Sequence, residues 1–526
     1  MSVLYQLATG GAIPVILSVS GVWFLWYLRG APFRSPRGMI RAMCEKRPGG
    51  VSPFRAVTLA LAGTLGVGNI VGVANAIRIG GAGAVLWMWV SALLAMILKY
   101  AEITLAVRHR RIGRDGSYSG GAPCYIRDGF PRHPAMGRLL AVVFSGLLIL
   151  NALSMGCVIQ VNAVASAMRG VWNFPVAVCA IVLLLLTAPV ILRGARSVLN
   201  VTGYLVPIMS LGFLILSAAV LILRRDAVPG AFASIFRDAF SPLGMGGGVI
   251  GFLTSRSLRV GTMRGLLSNE AGCGTAPTAH AGANTDSPAA QGVWGVFEVF
   301  ADTILLCTVT ALVILVNYDA AIPYGNDPMM MTVAAFSESL GEGAGWFLSA
   351  AILCFGYATL LCWSGYGVSA VREITAHPRA EHSFLAAFLL CIPIGCAVAP
   401  DAVWTVSDLA IAALTTLNVT ALLHMRREIR EETIRRFPLR RQQKDPNRRR
   451  GRENKPATDM RKKPSGQAAD TGKTQRDPDR TGGKIGEIGQ DLGTERVLTD
   501  ADDRDRAEVR IVPGRCKRDP ERQDRL

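Results

Sequence analysis

Residues 60–81 read ALAGTLGVGNIVGVANAIRIGG, with six glycines, Thr64 and Asn69 in a stretch otherwise apolar enough for a bilayer. Glycine inside a helix costs about 1 kcal/mol relative to alanine, so this density predicts a helix broken in mid-membrane. In hydrocarbon, unpaired backbone persists only where it lines a cavity or binds something. The chemistry on offer suits a zwitterion. Amides and the positive dipole end of a half-helix attract a carboxylate, and freed carbonyls attract an ammonium group or a sodium ion. Asn69 supplies a donor and an acceptor, and Thr64 a hydroxyl. The competing reading is close helix packing through Gly68 and Gly72, which have small-xxx-small spacing; pattern alone leaves the two even.

A second stretch, SPLGMGGGVIGFLTSRSLRVGTMRGLLSNEAGCGTAPTAHAG from Ser241, is also glycine-rich and polar, and predicts a break within 246–274. Two discontinuous helices in corresponding places are the mark of an inverted-repeat transporter. The carboxylates Glu298 and Asp302 fall in one later apolar run; intramembrane acids are costly and functional by default. Glu298 reads as partly solvated near a span end, and Asp302 as deeper. Lys99 and Glu102 in KYAE read as an interfacial ion pair. Asn269 and Glu270 in SNEAG read as an inner gate, a helix cap or a substrate contact.

The elements that must position these residues follow from hydropathy. Half of the 526 residues are hydrophobic, and they fall in long runs. At about 20 apolar residues per crossing, we read eleven spans: 11–28, 56–78, 83–107, 139–168, 175–192, 198–223, 244–264, 292–316, 346–370, 383–400 and 404–424. Setting the first aside leaves five and five, each half led by a broken helix. Halves with an odd number of spans must run in opposite directions. The 29–55 and 108–138 connections hold seven Lys/Arg each and 317–345 holds none. The positive-inside rule therefore puts the amino terminus outside and the tail inside, with Arg224, Arg225 and Arg237 as a blemish in an outer loop. This organisation predicts a transporter domain over 1–424. Residues 425–526, with 29 Lys/Arg against 20 Asp/Glu and few aromatics, read as a basic, disordered cytoplasmic tail.

Composition also excludes. The tail interleaves no stacking aromatics, so no nucleic acid is expected; anionic lipid headgroups suit its charge. None of the eleven cysteines forms a CxxC, so no disulfide or zinc site is implied. The six histidines lie in loops or near span ends and no HExxH or GxSxG occurs, which argues against a membrane enzyme. Two unlike broken helices argue against a channel.

GTLGVGNIVGVANAIRIGGAGAVLWMWVSALLAMILKYAE and RGLLSNEAGCGTAPTAHAGANTDSPAAQGVWGVFEVFADTILLCTVTALVIL resemble the two signature regions of the alanine/glycine:cation symporter family, the sodium:alanine symporters. The likeness covers about residues 10–425. Leu86, Ala95 and Cys273 depart from the family pattern. The resemblance implies an all-α polytopic membrane protein of LeuT-type fold in the cell membrane, with one added helix. It also implies sodium-driven import of a small neutral amino acid, L-alanine or glycine, with no organic cofactor. Carried over by motif, substrate contacts fall on Asn69, Gln160 in GCVIQVNAV, and Thr359 and Trp363 in YATLLCWSGYG. The backbone at Gly265 and Gly272 joins them. The sodium candidates are backbone at Ala62 and Leu65 with Thr64 and Thr359. Asp302 is a second candidate, with proton coupling as the alternative. Gln160 alone would read as an interhelical hydrogen-bonding residue, and Trp363 alone as packing; beside an alanine site its ring would exclude longer side chains.

Overall fold

The computed structural model describes residues 12–44, 50–112, 118–240, 256–398 and 401–438. These fall in the first of two compact units, Met1–Gly451. Among the described residues seven helices are long and apolar enough to cross a membrane. A pair bent by 56°, Pro53–Thr64 with Gly68–Gly80, makes an eighth. Two shorter apolar helices, Ile13–Tyr27 and Val176–Leu192, match the first and fifth predicted spans.

In chain order, α1 is Ile13–Tyr27, α2 Pro36–Cys44, α3 Pro53–Thr64, α4 Val73–Gly80 and α5 Ala84–Arg108. A two-residue antiparallel ladder pairs β1, Arg111–Ile112, with β2, Tyr118–Ser119. Next come α6 Ala122–Asp128, α7 Pro134–Leu153, α8 Gln160–Trp172, α9 Val176–Leu192, α10 Ala195–Leu223 and α11 Val228–Ala239. Then follow α12 Arg256–Asn269, α13 Pro277–Ala281, α14 Pro288–Val299, α15 Thr308–Val316 and α16 Pro328–Leu340. The last described helices are α17 Gly343–Ile374, α18 Pro378–Ala397, α19 Asp401–His424 and α20 Arg426–Arg436. Starts are written in the sequence. Ser52, Ser287 and Asp327 cap α3, α14 and α16, each with proline in the first turn, where its missing N–H costs nothing.

Helix α5 is the hub: α12 and α14 lie along it, and α1 and α13 also pack against it. A Cβ at Gly261, Gly265, Gly292 or Gly295 would stand 2.2–2.6 Å from an α5 atom. Small residues thus seat two helices on one, as expected where lipid supplies no hydrophobic drive.

One predicted boundary narrows and another moves. The second break, within the described residues, is the non-helical 270–276 segment between α12 and α13, with positive φ at Glu270, Gly272 and Gly274. Residues 241–255 of that predicted span lie outside the described set. The tail does not begin at 425: α20 is ordered, burying Ile429, Glu432 and Thr433. Its acids meet the end of α5. Arg108 contacts Glu428 at 2.8 Å and Glu432 at 2.7 Å, His109 Nε2 lies 2.9 Å from Glu428, and Tyr100 donates to Thr433 at 2.9 Å. Composition counted these charges as solvated because their partners lie some 320 residues earlier. The remaining predicted tail, 439–526, lies outside the described residues.

The His109 hydrogen bond, helped by the charges of His109 and Arg108, holds the Glu428 carboxyl below its ordinary value. A carboxylate depressed on folding contributes stability above its unfolded value of about 4.3, lost as pH falls through the depressed one. Pulsed hydrogen exchange should therefore find the 426–436 amides protected at neutral pH and exposed well below the carboxylate range. Undiminished acid protection would show that α20 is held without its carboxylates.

Candidate functional site

At the end of α3 the hydrogen-bond ladder changes partners. The Gly66 amide, which would bond the Ala62 carbonyl in a continuing helix, donates to Thr64 O at 2.8 Å. The Val67 amide, which would bond Gly63, donates to Gln160 Oε1 at 3.3 Å. The Asn69 amide turns to Gly66 O at 3.3 Å, releasing the Leu65 carbonyl. The carbonyls of Ala62, Gly63 and Leu65 are thereby freed from helical duty.

Side chains from two other crossings take up this backbone. Thr359 Oγ1, on α17, lies 3.0 Å from both Ala62 O and Phe355 O and shares its proton between them. Gln160, besides receiving the Val67 amide, donates from Nε2 to Met155 O at 3.3 Å. That carbonyl belongs to a π-helical segment, Ser154–Ile159, whose wider winding leaves a group for the glutamine to hold. Glycine at 66 permits the convergence, because a Cβ there would lie 3.0 Å from Thr359 Oγ1 and 3.1 Å from Gln160 Oε1. Trp363 is buried one turn beyond Thr359, edge-on to Tyr366 and against Gly156 of the same π segment.

Asn69 belongs to a second π segment, Gly68–Gly72, and Asp302 to a third, Phe300–Cys307. The Asn69 amide nitrogen donates to Asp302 Oδ1 at 2.6 Å. Asp302 Oδ2 accepts from Ser268 at 2.8 Å and from Thr303 at 2.7 Å. Asn69 Oδ1 is buried with no hydrogen bond among the described residues. The carboxylate, amide and hydroxyl oxygens here are hard ligands of the kind that suit an alkali cation.

The structure therefore brings Ala62, Leu65, Gln160 and Thr359 to one break and Asn69 and Asp302 to a neighbouring cluster. Thr64 is buried at the last turn of α3, its hydroxyl turned back toward Ala60 O at 3.5 Å. Gly265 and Gly272 stand apart. A Cβ at Gly265 would meet Ser91 and Met88 of α5, and one at Gly272 would meet Leu17 of α1. Their absent side chains serve helix contact, and the Gly272 carbonyl is taken by Asn418 at 2.9 Å. Asn269 caps the end of α12, its Oδ1 accepting from the Ala271 amide at 3.1 Å. Ser268 and Thr303 were not singled out from sequence; their only signal was a hydroxyl in an apolar crossing.

Two further expectations are corrected. Glu298 is fully buried, not partly solvated. Lys99, also fully buried, pairs with Glu298 at 3.3 Å and not with Glu102. His280 is buried, 3.0 Å from Glu298 Oε2. Each carried a residue away from the interface because its partner lies on another helix.

A family model described as the sodium:alanine symporter family matches residues 1–450. The uncharacterized transporter YflA of Bacillus subtilis is 35% identical over 428 residues, spanning 80% of this chain and 89% of that one. The sodium/alanine symporter AgcS of Methanococcus maripaludis is 34% identical over 391 residues, spanning 74% and 85%. The amino-acid carrier protein AlsT of Bacillus subtilis is 35% identical over 418 residues, spanning 78% and 86%.

Proposed function

The chain belongs to the sodium:alanine symporter family, and from that premise we propose that it imports a small neutral amino acid, L-alanine or glycine, by sodium-coupled alternating access. The family is one of transporters, not enzymes. We place the protein in the cell membrane with eleven spans, a leading helix before a 5+5 inverted repeat of LeuT type, the amino terminus outside and the tail inside.

The observation that carries this reading is the backbone opened around Gly66, with Gln160 and Thr359 converging on it. In our reading the substrate carboxylate docks on amides past the break, beside Gln160 and Asn69. One sodium ion takes the carbonyls freed at Ala62 and Leu65 with the Thr359 hydroxyl, all oxygens without formal charge. Closing the site around a zwitterion and its ion removes both from water together, which couples one gradient to the other solute. A second ion-binding place, at Asp302 with Asn69 Oδ1, is supported by the convergence of three π or helical segments on one carboxylate. Asp302 is also the seat of the alternative, proton coupling.

Uptake of labelled alanine into proteoliposomes should rise severalfold when an inward sodium gradient is imposed. Uptake that ignores sodium and follows a pH gradient would transfer the coupling to a proton. The large ring of Trp363 fits a limit on substrate size, so Trp363→Ala should admit larger side chains, read as inhibition of alanine uptake by leucine or methionine. One missing methylene-sized contact is worth about 1–3 kcal/mol, so a shift of tenfold or more in the leucine inhibition constant is expected.

A further inference from the structure

The backbone leading into the first broken helix and the backbone leaving the second meet just past the end of α5. Val51, beside the Ser52 cap of α3, pairs with Ala283 in an isolated parallel bridge, and its carbonyl accepts the Asn284 amide at 2.7 Å. Arg110 grips the same stretch. Its Nη1 donates to Ala283 O at 2.5 Å and its Nη2 to Thr285 O at 2.6 Å. These two carbonyls flank Asn284, the residue whose amide reaches Val51. A planar guanidinium fork can hold two acceptors at once in fixed geometry, which the point charge of a lysine does not reproduce. The Tyr118 ring of β2, its centroid 3.7 Å from the guanidinium carbon, supports the fork from the other side. The hairpin that carries Tyr118 is itself seated on α13, since a Cβ at Gly121 would lie 2.7 Å from Thr278 Oγ1 and one at Gly120 2.9 Å from Ala281.

Helix α3 is therefore fixed at both ends. Gln160 and Thr359 hold it at the break, and 283–285 holds its start. Its 12 residues make a rod about 18 Å long, so release at the start moves the whole helix about the break. Along its length α3 closes a seam with α17. A Cβ at Gly63 would stand 3.0 Å from Cys362 Sγ and 3.3 Å from the Tyr366 hydroxyl, and Cys362 is 1% exposed. Cys362 lies about one turn past Thr359, so the seam seals the proposed ion site from that side.

On the alternating-access reading above, we propose that Arg110 is a positioning residue that latches the start of α3 to the 283–285 segment, and that the seam between α3 and α17 opens when its fork lets go. Transport then requires the two charge-assisted hydrogen bonds of Arg110 to break and re-form in each cycle.

Native cysteines report on the seam. The full chain in lipid nanodiscs, without sodium or amino acid, is treated with N-ethylmaleimide, and the modified peptides are quantified by mass spectrometry. Cys362 should react slowly in the wild type and at least tenfold faster in R110Q, while Cys157 and Cys179, buried elsewhere, keep their wild-type rates. An unchanged Cys362 rate would overturn the latch. A parallel rise at Cys157 and Cys179 would also overturn it, because general loosening would then explain the result. If R110Q does not elute as a folded species, R110K, which keeps the charge and loses the fork, gives the same readings. Alkylation needs no substrate, so a failed latch and a failed alanine uptake assay are told apart.

Discussion

Alanine at position 160 should weaken substrate binding by about 10- to 100-fold, equivalent to about 1.4–2.8 kcal/mol. Gln160 holds both a π-segment carbonyl, Met155 O, and an amide past the break, Val67 N. Removing it leaves two buried backbone groups unpaired, each worth about 1–3 kcal/mol, and lets the broken end of α3 relax away from the substrate-docking geometry. Equilibrium dialysis with labelled alanine, on protein that still elutes as a single species, measures the loss. Unchanged affinity would take Gln160 out of the site and leave it a strut between crossings. In the proposed docking mode the damage is to amides that receive the carboxylate, so added sodium should not restore binding.

The largest stability effect is expected at Lys99→Ala. Lys99 and Glu298 are both fully buried on packed helices, 3.3 Å apart, and breaking such a pair costs about 3–5 kcal/mol because the remaining charge has no water to turn to. Replacing both partners, Lys99→Met with Glu298→Gln, removes the charges together and should recover most of the loss. Thermal unfolding of the detergent-solubilised chain, followed by loss of the folded elution peak, compares the three proteins. A double variant as unstable as Lys99→Ala would mean that packing, not charge, sets the cost. His280 would then be expected to matter little, whereas a true charge pair makes its hydrogen bond to Glu298 part of the same unit.

Spans came through from sequence because lipid exposure is a local, compositional demand. The predicted 83–107 and 198–223 became Ala84–Arg108 and Ala195–Leu223, and the glycine cluster at 63–72 did mark a bend. What composition cannot carry is pairing across helices. Lys99 and Glu102, three residues apart, invite a local ion pair, yet the lysine's partner is 199 positions away. The three π segments were equally hidden. One surplus residue in a helical turn is decided by what the neighbours offer, such as Gln160 for Met155 O or Asn69 for Asp302. Glycine has two uses that look alike in a sequence, opening the backbone at Gly66 and admitting a neighbouring helix at Gly265. Only the packed partner tells them apart. The acidic residues of α20 misled for the same reason, since Glu428 and Glu432 answer to Arg108 and His109.

The floor beneath Trp363 carries a further consequence. A Cβ added at Gly156 would fall 2.4 Å from the indole, so position 156 tolerates no side chain while the ring keeps its place. If Trp363 sets the size limit proposed above, selectivity by size is written jointly in two segments, and neither position can drift alone without a collision or a void. Across relatives, these two columns should covary: chains that swap the glycine for alanine or serine should carry a slimmer residue opposite it, and should handle bulkier cargo.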